Sequence, residues 1–62
     1  MSLTDYDREH VGDIIAGDGT WFTAGLLRLC AHADRWNLER IRQGFPDVVE
    51  AFESWQRGEV AS

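Results

Sequence analysis

Glycine and proline interrupt this sequence so often that no long regular element fits between them. Gly17-Asp18-Gly19, Gly44 with Pro46, and Gly58 each follow or border a run of apolar residues at helical spacing. Glycine is favoured just beyond the C-terminal end of a helix, and proline at the first helical position. The sequence therefore predicts short helices joined by short turns, packed as a compact all-α bundle of three to four helices.

Four segments carry the helical pattern. They cover residues 5–16, 21–33, 35–43 and 46–57. Thr4, Thr20 and Asp34 are the predicted N-caps of the first three helices, and Asp7 completes an imperfect capping box with Thr4. We expect the chain, residues 1–62, to form a single small helical domain whose last residues, 59–62, fray.

The predicted core follows the apolar positions of these helices. In the second helix Phe22, Leu26 and Leu29 recur at i, i+4 and i+7, which places them on one face. Leu27 is predicted to flank that face. The whole predicted core consists of Val11, Ile14, Ile15, Phe22, Leu26, Leu29, Cys30, Leu38, Ile41, Phe45, Val48 and Phe52.

Size, charge and cysteine content exclude several classes of protein. The 62 residues include one cysteine, so an intramolecular disulfide is impossible and a reducing compartment is indicated. No apolar run approaches the ~18 residues that a membrane span needs. The acidic N-terminus lacks the basic and apolar regions of a signal peptide. We therefore expect a cytoplasmic protein that does not contact a membrane.

Metal binding and catalysis find little support in the residue spacing. Cys30 and His32 lie about 200° apart around a helix, so they cannot share a metal ion, and His10 and Asp34 complete no zinc-binding spacing. The turn at residues 17–20 lacks the lysine and preceding strand of a phosphate-binding loop. No nucleophile motif occurs, and so short a chain has little room for a ligand pocket. We expect a non-enzymatic protein with no catalytic residue, metal or cofactor.

Nucleic-acid-linked regulation is an alternative hypothesis. Arg35, Arg40 and Arg42 cluster with Trp36 on the third predicted helix, as in a DNA-reading helix. The net charge of −5 weighs against this, because phosphate contacts supply most non-specific affinity for DNA. An acidic protein could instead imitate DNA. The residues that would carry such mimicry are Asp5, Asp7, Glu9, Asp47, Glu50 and Glu53.

Three tryptophans in so small a chain favour a protein-binding surface. Trp and Arg are enriched at interfaces, and a domain of roughly 60 residues buries only about 60% of its unfolded surface. The candidate interaction surface consists of Trp21, Arg28, Trp36, Arg40 and Trp55. Its partner would be another protein or, in a homodimer, a second copy of this chain. The alternative, that one or two tryptophans only close the edges of the core, stays open.

The order of residues also resembles a known family. The matching motifs are Asp13-Ile14-Ile15-Ala16, Trp21-Phe22, Leu26-Leu27-Arg28-Leu29, Ala33-Asp34, Asn37, Arg40, Phe45-Pro46, Val49, Ala51 and Trp55. Across roughly residues 10 to 57, they resemble small uncharacterised proteins encoded by phages and prophages of actinobacteria. The resemblance implies an accessory phage protein that acts inside the bacterial host on a host or phage protein. Trp36 departs from the family pattern, which suggests a role specific to this chain.

Overall fold

The structure, a computed structural model, describes residues 3–58. These residues form five helices and no strand, which confirms the predicted all-α fold. The helices are α1 (Asp5–Glu9), α2 (Val11–Ile15), α3 (Phe22–His32), α4 (Arg35–Gly44) and α5 (Pro46–Gln56). The tail predicted to fray, residues 59–62, lies outside the described part of the chain. None of the helices described is long and apolar enough to cross a membrane.

The prediction of one continuous helix over residues 5–16 is wrong, because the chain breaks at His10. The backbone of His10 has a φ of −122° and a ψ of 26°, outside the helical region. Its imidazole Nδ1 lies 2.8 Å from the backbone oxygen of Tyr6, and its ring stacks on the Tyr6 ring. The apolar stripe of the predicted helix, Val11, Ile14 and Ile15, begins only after His10, so apolar spacing did not establish that the helix continues through His10.

Helix α5 is the element against which α2, α3 and α4 all pack. Leu38, Ile41 and Phe45 are partly buried against the core, as is Ile15. Together the helices enclose one hydrophobic cluster, whose buried members are Val11, Ile14, Ala24, Leu26, Leu27, Cys30, Val48, Val49 and Phe52.

Helix α3 is rotated relative to the prediction. Phe22 and Leu29, both predicted to be core residues, are 55% and 52% exposed, whereas Leu27 is fully buried. The buried side of α3 instead carries Thr23, Ala24, Leu26, Leu27 and Cys30. The helix also begins one residue later than predicted, since its N-cap is Trp21 rather than Thr20.

A buried carboxylate explains this rotation. Asp7 on α1 is 1% exposed, and its Oδ2 accepts hydrogen bonds from the Thr4 backbone N–H at 3.1 Å and the Thr4 hydroxyl at 3.0 Å. The hydroxyl of Thr23 donates to the same oxygen at 3.0 Å, and the indole Nε1 of Trp21 donates to Oδ1 at 2.7 Å. The bond to Thr23 turns that side of α3 inward. The Thr4 contacts confirm the predicted capping box.

The hydrogen bonds that the Asp7 carboxylate accepts make the free energy of unfolding depend on pH. Burial alone raises the pKa of the Asp7 carboxyl, but the hydrogen bonds from Thr4, Trp21 and Thr23 outweigh it and hold the pKa below its usual value. A carboxyl with a lower pKa in the folded than in the unfolded chain stabilises the fold above its unfolded pKa, about 3.9. That contribution is lost as the pH falls through the folded pKa.

Asp7→Asn should lower the free energy of unfolding at pH 7 by about 2 kcal/mol or more, because the amide places a donor where Asp7 only accepts. The difference from the wild type should shrink as the pH falls below about 4, where the carboxyl of the unfolded chain begins to bind a proton, and should be smallest below the lower pKa of the folded chain. Urea denaturation at pH 7 and at lower pH measures both effects. Asp13→Asn, at an exposed carboxylate of α2, is the control. Equal losses in the two variants would contradict the role given to Asp7.

Candidate functional site

The five residues of the predicted interaction surface fall into three groups. Trp21 and Arg28 both contact Gly19 in the turn between α2 and α3. Trp36 and Arg40 are exposed one turn apart on α4. Trp55, on α5, is partly buried against the core, with its ring 6.0 Å from that of Phe52. Trp36 and Arg40 are therefore the pair whose exposure fits the prediction best.

Arg28 is a structural residue. Its guanidinium donates from Nη1 to the backbone oxygens of Ile14 at 2.8 Å and Asp18 at 3.3 Å. Nη2 donates to the oxygen of Gly19 at 2.8 Å. Carbonyls at the C-terminal end of a helix lack helical donors and favour a nearby cation. Arg28 thus ties α3 to the end of α2 and to the following turn.

Trp21 is also held by the fold. Its indole N–H is bound to Asp7, and its ring meets that of Tyr6 edge to face at 5.9 Å. The ring covers Gly19, where a Cβ would collide with it, and Gly19 has a φ of +90° that glycine adopts readily. The contacts of Trp21 therefore stabilise the turn, although part of its ring stays exposed.

A different set of residues forms the open apolar surface. Phe22 and Leu29 project from α3, and Trp36, which is 78% exposed, projects from α4. Gly25 lies between Phe22 and Leu29, with nothing within 4 Å of the position of a Cβ. We call Phe22, Gly25, Leu29, Trp36 and Arg40 the α3–α4 face.

A cavity of about 370 Å³ opens beside this face. It lies between α3 and α4, which both pack on α5 more than on each other. At the end away from the connecting turn, the rings of Phe22 and Phe45 meet edge to face at 5.7 Å. The cavity is lined by Leu29, His32, Ala33, Asn37, Arg40 and Ile41.

The charges around the cavity are asymmetric. None of its lining residues is a carboxylate, although the chain carries a net charge of −5. Within residues 3–58, Arg40 is exposed and has no carboxylate or hydrogen-bonding partner for its side chain. The cavity is therefore apolar with one unpaired cation and a histidine at its edge.

Arg42, unlike Arg40, forms hydrogen bonds and ion pairs with two carboxylates. Its guanidinium bonds both carboxylate oxygens of Glu53, at 3.1 and 2.8 Å, and Nε donates to Glu39 at 3.1 Å. These bonds raise the pKa of Arg42 and lower that of Glu53. The predicted cluster of Arg35, Arg40 and Arg42 is thus divided, because Arg42 is held by two carboxylates. In the predicted acidic surface Asp7 is buried, so that part of the prediction is wrong.

The Cys30 thiol is buried, and the Ser54 hydroxyl is hydrogen-bonded on both sides. Burial, helped by the nearby Glu53, raises the pKa of the Cys30 thiol, which keeps it protonated. The Ser54 hydroxyl donates to the Glu50 carboxylate at 3.0 Å and accepts from Arg57 at 3.2 Å. In residues 3–58 no three His, Cys, Asp or Glu side chains are grouped so that they could hold a metal ion.

Phe22 and Leu29 were missed as surface residues because both fit the apolar spacing of a core face. A usable signal was present, since the apolar residues of α3 extend round more than half of the helix, from Leu29 and Phe22 to Leu27 and Ala31. This arc is wider than the apolar stripe that a helix at the edge of a small core needs to bury. In a chain this short, the rest of the fold covers only one side of α3.

Comparisons with known proteins found no match to this chain. No protein-family model, no curated protein and no solved structure matches this chain. The resemblance to actinobacterial phage proteins therefore stays a prediction.

Arg28→Ala should lower the free energy of unfolding by about 2 kcal/mol, because it takes the Arg28 donor from the partly buried Gly19 carbonyl and removes the second donor of the Ile14 carbonyl, which keeps only the Gly17 N–H. Arg40→Ala makes the same chemical change at an exposed, unpaired arginine, and should change stability by no more than about 0.5 kcal/mol. Urea denaturation followed by tryptophan fluorescence compares the two. A larger loss in Arg40→Ala than in Arg28→Ala would contradict the assignment.

Proposed function

We propose that this protein acts by binding another protein through the α3–α4 face, without catalysing a reaction. The observation that carries the proposal is the exposure of Leu29 at an apolar cavity, together with the exposure of Phe22 two turns earlier on α3 and of Trp36 one turn before Arg40 on α4. Large exposed apolar patches on soluble proteins often mark interaction sites. Aromatic and arginine side chains around a pocket are the residues in which binding energy concentrates.

We keep the α4 part of the surface predicted from the sequence and add residues of α3. Trp36 and Arg40 stay in the proposed site, whereas Trp21 and Arg28 serve the α2–α3 turn and Trp55 packs on the core. Phe22 and Leu29 replace them. Binding through these exposed side chains requires no rearrangement of the core.

We propose the following biological setting from the resemblance across roughly residues 10 to 57. The protein is an accessory product of a phage or prophage, acts in the cytoplasm of an actinobacterial host, and binds a host or phage protein. Six arginines and no lysine agree with a GC-rich genome. Trp36, which departs from the family pattern, is the most exposed large apolar side chain described.

The double variant Leu29→Gln with Trp36→Gln should lose partner binding while its free energy of unfolding stays within about 0.5 kcal/mol of the wild type, because both side chains are exposed. Affinity capture from an actinobacterial host lysate, quantified by mass spectrometry, measures binding. Gln43→Ala, at an exposed position of α4, is the matched control. The proposal predicts proteins captured by the wild type and the control but not by the double variant. Capture that survives the double substitution would contradict it.

A further inference from the structure

We propose that the α3–α4 face receives an amphipathic helix of another protein, with carboxylates beside its apolar side. This inference rests on the protein-binding function proposed above and specifies the partner of the same site. It follows from the spacing of the apolar side chains, from the gap between them and from the charge of the cavity.

The spacing of Phe22 and Leu29 along α3 fits a helix of the partner protein. Phe22 and Leu29 are seven residues apart on α3, which separates them by about 10.5 Å along the helix axis. A partner helix with apolar residues at i, i+3 or i+4, and i+7 repeats that distance. Gly25 stands between them without a side chain, so the partner backbone can approach α3 closely at that point. The cavity beside Leu29 has room for an apolar side chain of the partner.

The charge favours an acidic partner. Arg40 and His32 are the charged or titratable residues among those that line the cavity, and no carboxylate accompanies them. Burying Arg40 under an apolar partner would cost desolvation without compensation. A carboxylate beside the apolar side of the partner helix would pair with Arg40 and offset that cost.

The same charges argue against a second copy of this chain as the occupant. A two-fold dimer brings one patch against an identical patch. The α3–α4 face and its cavity would then meet Arg40 and His32 again, with no carboxylate opposite either. Contact with a different, acidic side of a second copy would be head-to-tail and would build a ring or a filament instead of a two-fold dimer.

Selection from a displayed library of random peptides, each long enough for about four helical turns, tests this inference. On the wild type, we expect enrichment of apolar residues at i, i+3 or i+4, and i+7, flanked by Asp or Glu. Arg40→Glu should shift the flanking residues to Lys or Arg. Arg35→Glu makes the same charge change on the same helix at a position that does not line the cavity, and should leave the acidic preference unchanged.

Affinities of synthetic peptides make the comparison quantitative. An acidic peptide selected on the wild type should bind Arg40→Glu about tenfold more weakly, and a copy with Lys in place of Glu should show the reverse preference. Arg35→Glu should bind the acidic peptide within about twofold of the wild type.

Three results would overturn the inference, and they separate it from the proposed function. Peptides without acidic flanks, or an acidic preference that survives in Arg40→Glu, contradict the acidic helix but leave protein binding intact. A wild-type dimer in sedimentation that the Leu29→Gln and Trp36→Gln substitutions convert to a monomer shows that a second copy covers the face. A monomer that selects no peptide contradicts both proposals.

Discussion

The Asp7 carboxylate is the interaction on which the arrangement of the helices depends. Its oxygens accept hydrogen bonds from Thr4, Trp21 and Thr23, which belong to the start of α1, the N-cap of α3 and the first turn of α3. Helices as short as α1 and α2 do not persist alone in water, so contacts of this kind must hold them. Because a buried charge without partners is costly, these segments keep one relative position. That position turns Thr23 inward and leaves Phe22 and Leu29, about 100° to 120° away around α3, half exposed to solvent.

Helix ends that depend on residues close in sequence could be predicted from the sequence. The Asp34 cap, the Thr4 capping box and the proline that begins α5 were all predicted correctly. The rotation of α3 was not, because apolar spacing offers two inward faces and the choice between them depends on a hydrogen bond across 16 positions. For the site, Trp36 and Arg40 of the predicted surface are exposed. The bonds of Arg28 to carbonyls 9 to 14 positions earlier could not be predicted, because they depend on how α2 and α3 pack together.

The distribution of charge connects the fold to the proposed function. Two arginines of residues 3–58 are paired with carboxylates of α5, Arg8 with Glu50 and Arg42 with Glu53. Surface pairs of this kind contribute little to stability. Beside the α3–α4 cavity Arg40 has no such partner, and Leu29 stays half exposed at the same place. Among the described residues no buried side-chain nitrogen or oxygen lacks a hydrogen-bond partner, so the groups left for a partner to contact are at the surface.

Hydrogen exchange of the indole N–H groups of the free protein, followed by NMR, distinguishes Trp21 from Trp36. The Trp21 indole should be protected by its bond to Asp7, whereas the Trp36 indole should exchange at nearly the rate of an unprotected group. Protection of Trp21 reflects the first claim, that Asp7 holds the start of α3, and rapid exchange of Trp36 reflects the second, that the α3–α4 face is open. Equal rapid exchange of both indoles would contradict the first claim, and protection of the Trp36 indole would contradict the second.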